Sequence, residues 1–155
     1  MEQTLINISI AVGTILILII PLYILSKNSA KQKEANLINR FNIYCTQNSL
    51  QVTDRDVIRN KVFGHDPVKN KLALVFTMGN AEEEYMIDLN KSSNAAASKI
   101  SSKNGGDEIW LSYLSNVGKK QEILFYRHFR DNENDLTPLL NKAESLSSLI
   151  NKAKP

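Results

Sequence analysis

The chain has 155 residues, a formal net charge of +3 and 43% hydrophobic residues, room for one membrane segment and one small domain. Its single cysteine, Cys45, excludes an intramolecular disulfide and a multi-cysteine metal site. The basic excess is small and scattered, which argues against nucleic acid as a partner.

The first element is an apolar run. From Leu5 to Leu25 only Asn7, Ser9 and Thr14 are polar and nothing is charged. About 20 helical residues rise about 30 Å, the hydrocarbon thickness of a bilayer. The run therefore reads as a transmembrane helix over 5–25, after a short extracytoplasmic N-terminus at 1–4. A cleaved export signal fits poorly, because Met1-Glu2-Gln3-Thr4 carries no Lys or Arg and Ser26-Lys27-Asn28-Ser29-Ala30 is a poor cleavage site. A core helix of a soluble domain would show a polar stripe, and this run has almost none. Lys27, Lys31, Lys33 and Arg40 follow the run, so the positive-inside rule places the C-terminal domain in the cytoplasm, on a single-pass anchor in the cell inner membrane. The lysines act as the topology signal alone, or also touch anionic headgroups.

Residues 26–48 read as a juxtamembrane amphipathic helix or linker. Leu37, Ile38, Phe41, Tyr44 and Cys45 recur at spacings of three and four, a stripe suited to docking on the domain that follows. That domain, 49–155, opens with "KVFGHD", a turn at Asp66-Pro67, and "LALVFT", which reads as strand, turn, strand. "MGNAEE" reads as a second turn before the strand "EYMIDL". Ala95-Ala96-Ala97 suits helix or strand equally. "KNGGDE" is a hairpin turn, and "IWLSYLS" and "EILFYR" are strands covered on two sides. Asp135 or Thr137 caps a final helix, whose apolar side holds Leu136, Leu139, Leu140, Ala143, Leu146, Leu149 and Ile150.

About six antiparallel strands and a closing helix indicate an α+β fold: a transmembrane helix, then a PH-like antiparallel β roll with a C-terminal capping helix. The elements "FNIYC", "FGHDPVKNKL", "YMIDL", "FYR" and "DLTPLLNKA" resemble those of uncharacterised bacterial single-pass membrane proteins with a small PH-like domain. The resemblance implies a fold, and its motifs are structural turns and core positions that carry no catalytic residue.

Chemistry is sparse. There is no GxGxxG, GxxxxGK, HExxH or CxxC pattern, and no catalytic residue, cofactor or metal ligand is assigned. Glu82-Glu83-Glu84 reads as a solvated acidic turn, and Cys45, on an apolar stripe, as a buried inert thiol. "FYRHFRDNEND" is the best binding surface. There Arg127, His128 and Arg130 cluster after a strand, and Asp131, Glu133 and Asp135 stand ready to pair with or screen them. Lys27, Lys31, Lys33, Arg127 and Arg130 are accordingly the candidate contacts for a headgroup or a partner. The expected function is a membrane-anchored, non-enzymatic interaction or scaffold module that presents a cytoplasmic domain to a protein partner. The alternative is an anionic-lipid or headgroup sensor at the inner membrane surface. Nothing in the sequence supports a homo-oligomer.

Overall fold

The computed structural model describes residues 27, 29–78, 81–101 and 106–153. The chain divides into two compact units, Met1–Asn36 and Leu37–Pro155. A helix, α1, covers 29–47. In the second unit it is followed by β1 (Asp54–Ile58), β2 (Lys61–Asp66), β3 (Lys71–Met78), β4 (Ala81–Asp88), β5 (Ser93–Ser101), β6 (Asp107–Leu114) and β7 (Lys120–Arg127). A short 3-10 turn, Glu133–Asp135, then leads into α2 (Leu136–Lys152). All pairings are antiparallel, and the strands form one sheet in the order β1-β2-β3-β4 and another in the order β5-β6-β7.

The turns follow from residues that accept unusual backbone angles or supply a side-chain acceptor. Asp66 accepts the amides of Val68 and Lys69, each at 2.9 Å, and that of Gln51 at 2.7 Å. Asn70, at φ 53°, then closes the β2–β3 hairpin. Gly118, at φ 71°, does the same between β6 and β7, donating to the Ser115 carbonyl.

The first sheet is covered on both faces. Phe63, Leu72, Leu74, Phe76 and Ile87 join Ile109, Leu111, Ile123 and Phe125 of the second sheet, and Leu139, Ala143, Leu146 and Ile150 of α2, in one buried cluster. Phe63, Phe76 and Phe125 meet there with ring centroids 5.4–5.5 Å apart. Such pairs add about 0.5–1.5 kcal/mol each beyond the area they bury. On the opposite face Val62, Ala73 and Val75 pack with Leu37, Phe41 and Cys45 of α1. The helical stripe and the alternation of β2 and β3 thus meet each other. Gly64 lets them approach, since a Cβ there would lie 2.5 Å from the Phe41 Cζ and 2.7 Å from the Val52 Cγ1.

Several expectations are corrected. The transmembrane helix expected over 5–25 lies outside the described residues, and among these no helix is long and apolar enough to cross a membrane. In α1 the buried apolar residues Leu37, Phe41 and Cys45 form one stripe, and Ile43 and Arg40 are exposed. The inner-membrane, single-pass location and the cytoplasmic orientation built on that helix are withdrawn with it. The expected PH-like roll of about six strands is likewise replaced by seven strands in two sheets, flanked by a helix on each side of the chain. β1, with the sequence DRDVI, escapes a hydrophobic-pattern search because its first three residues are charged and exposed. β5 is a strand although its composition was ambiguous. Glu82-Glu83-Glu84 lies in β4, an edge strand, and not in a turn. Asp135 stands at the N-cap of α2 but makes no side-chain cap bond.

Candidate functional site

The turn that follows β7 is built from the strand's last residue downward. The Arg127 carbonyl accepts the amides of Arg130 at 3.2 Å and Asp131 at 3.0 Å, and the His128 amide donates to the Asp107 carbonyl at 2.8 Å. The Asp131 carboxylate then folds back beneath the turn. Its Oδ2 accepts the Arg127 amide at 2.9 Å, and its Oδ1 accepts Lys61 Nζ at 2.7 Å. Both side chains of this ion pair are buried, at 0% and 2% exposure. Lys61 Nζ also donates to Asn60 Oδ1 at 2.9 Å and lies 5.9 Å from the centre of the Phe76 ring. Burial pushes the Lys61 pKa down, and the hydrogen bond that Lys61 donates to Asp131 opposes that shift. Lys61 belongs to the first sheet and Asp131 follows the last strand of the second. The pair therefore fastens the turn to both.

What the turn presents is Phe129. Its side chain is 88% exposed, and its backbone sits at φ 65°, a left-handed conformation that is costly for a bulky residue. The His128 ring stands edge-on to it, with centroids 4.1 Å apart. Arg130 is exposed beside it. Arg127 is exposed too, but its Nε is held by Glu108 Oε1 at 2.7 Å. The Glu108 carboxyl titrates below its ordinary range, first because Trp110 Nε1 donates to it at 2.9 Å and further because of Arg127.

The expected site residues are thus distributed unevenly. Arg127 and Arg130 stand together on one turn, with Arg127 already engaged. Lys31 and Lys33 are exposed on α1 and Lys27, also exposed, precedes it; all three belong to the first unit. The acidic residues expected to screen the arginines do other work. Asp131 turns inward to Lys61, and Asp135 pairs with Arg59 at 2.6 Å. Phe129, Lys61 and Asp131 were not singled out from the sequence as functional. The signal for Phe129 is an aromatic residue between two basic ones, just beyond the end of a strand. For Lys61 it is a charge directly before the apolar pair Val62-Phe63 of a strand.

An open cleft of about 540 Å³ is lined by Phe41, Asn42, Cys45, Gln51 and Arg55, among others. Burial raises the pKa of its Cys45 thiol, which keeps the sulfur protonated and poorly nucleophilic. Among the described residues no three His, Cys, Asp or Glu side chains converge as metal ligands. Compared with known proteins, the chain matches no family model, no curated protein and no solved structure.

Proposed function

We propose that this chain is a non-enzymatic interaction module whose contact point for a protein partner is the turn bearing Phe129 and Arg130. The observation that carries the reading is a large aromatic side chain, 88% exposed and held at a positive φ, on a turn fastened from below by a buried ion pair. Backbone strain that the surrounding structure enforces marks places where a conformation serves a purpose beyond stability. Aromatic and arginine side chains are also the types that dominate binding energy at interfaces. A rigid turn avoids the ordering cost a flexible loop would incur on binding. The complementary surface is an apolar pocket rimmed by carboxylates, which would meet Phe129 and Arg130 together.

The test places a photo-crosslinking phenylalanine analogue at Phe129 in the full chain in its own cells. The same analogue at Val117, 78% exposed on another turn, is the control. A discrete protein adduct at Phe129, lost with Arg130→Glu and missing at Val117, is expected. Equal adducts at both positions would overturn the reading. So would salt-sensitive binding of the purified chain to anionic vesicles, abolished by Arg127→Glu with Arg130→Glu, in the absence of any protein adduct.

A further inference from the structure

Sheet edges invite pairing with other chains, and charges are the usual protection against it. Three of the four edges here are so protected. β1 carries Asp54-Arg55-Asp56, β4 carries Glu82-Glu83-Glu84, and β7 carries Lys120, Glu122 and Arg127. β5 is different. Over Ser93–Ser101 its one charge is Lys99, and Asp107 neutralises that at 2.8 Å.

The direction of its backbone groups can be worked out. The Ser115 amide donates to the Lys119 carbonyl, and the His128 amide to the Asp107 carbonyl, so odd-numbered residues of β6 face β7. Even-numbered ones then face β5, where Ser112, Trp110 and Glu108 stand opposite Ala96, Ser98 and Ile100. The backbone groups of Ala97, Lys99 and Ser101 consequently point away from the sheet. At Ala95, one step earlier in the same outward series, the Asn151 side chain donates to the carbonyl and accepts from the amide, both at 2.8 Å. The amide group of Asn151 stands where the peptide group of another strand would stand. Among the described residues nothing does the same for Ala97, Lys99 or Ser101.

We infer that this edge is the contact surface for a second copy of the chain, with two β5 strands pairing antiparallel about a two-fold axis at Ser98. In that register Ala97 exchanges both hydrogen bonds with Lys99 of the second copy, and the reverse. Ser98 faces its counterpart, and Ile100, 54% exposed, lies over the small exposed Ala96. Large meets small, and no two like charges are directly opposed. The ladder stops where Asn151 already occupies Ala95. A two-fold contact of this kind closes on itself and uses up the β5 edge of each copy, leaving only charge-protected edges.

The register is tested with single cysteines in the full chain carrying Cys45→Ser. Residues facing across a non-hydrogen-bonded antiparallel pair lie about 4.5 Å apart at Cα, within disulfide reach. Under mild oxidation, Ser98→Cys should give a reductant-sensitive dimer at least about tenfold faster than Asn94→Cys, which lies on the same strand outside the ladder. A mixture of Ala96→Cys and Ile100→Cys chains should cross-link to each other, and neither should do so alone. These variants leave the outward backbone groups intact, so a folding defect does not imitate the pattern. Equal rates at Ser98→Cys and Asn94→Cys would overturn the inference, because association through any other part of the chain would produce that result. A Ser98→Cys adduct with a different protein in place of a second copy would also overturn it.

Discussion

At the scale of single residues, the buried Lys61–Asp131 pair decides whether the candidate site exists. Removing one partner strands the other charge in an apolar setting, which typically costs about 3–5 kcal/mol. Lys61→Ala is therefore expected to lower unfolding stability by about that amount, measured by urea denaturation. Lys61→Met combined with Asp131→Asn should lose much less, since the asparagine oxygen can still accept the Arg127 amide. A loss below about 1 kcal/mol in the single variant would show that the pair holds nothing in place, a surface-like value. The sequence shows every charge in this region but none of the pairings. Asp131 lies next to Arg130 in the chain and bonds to a lysine 70 positions away. Local charge patterning reads neighbours along a segment, and here the third dimension reassigns them.

At the scale of elements, the informative contact is α1 against β2. Gly64 faces Phe41 and Val52 at distances no Cβ can share, and both neighbours belong to the buried or half-buried packing of that face. Gly64→Ala should destabilise the protein by about 1–3 kcal/mol through forced displacement of the Phe41 ring. Phe41→Leu in the same background should recover part of the loss, and thermal unfolding of the two variants checks both statements. The elements that could be read in advance share a strong periodic signal: the stripe of α1, the alternation of β3 and the apolar side of α2. Those that could not are β1, where exposed charge hides a strand whose two apolar residues, Val57 and Ile58, come last, and β5, whose alanines favour helix locally and are held as strand by pairing with β6. The three glutamates of β4 were misplaced for a related reason. Glu82 and Glu84 extend to Arg40, at 3.1 and 2.9 Å, and a strand whose outer groups are charged resembles a turn to any rule based on hydropathy.

For the molecule as a whole, three carboxylates link stability to pH in one direction. The Asp66 pKa is lowered first by the Lys69 amide and then by that of Gln51. Asp107 is lowered by Lys99 and then by Ser101, and Glu108 by Trp110 and then by Arg127. Each folded-state pKa lies below its ordinary value of 3.8 or 4.5. Their stabilisation is accordingly complete above those values and is lost as the pH falls through the folded pKa values. The melting temperature should stay level near neutrality and drop in acid, and Asp66→Asn should flatten the acid limb. A melting temperature that rose in acid would contradict this sign. At this scale the sequence points to a small mixed domain, and the two-sheet division stays hidden because it depends on which strands decline to pair.

The double cover of the first sheet has a consequence for how the fold comes apart. Val62, Ala73 and Val75 are covered by one layer, and Phe63, Leu72 and Leu74 by another, so the hairpin of β2 and β3 is packed on both of its faces. Neither layer can lift away and leave that hairpin exposed on one face alone without giving up packing it shares with the rest. The hairpin is therefore expected to be among the last parts to surrender its order, whereas the outward amides of β5 are open to solvent without any unfolding. The surface inferred for association thus lies outside that doubly covered hairpin, and the turn bearing Phe129 is moored to the hairpin through Lys61.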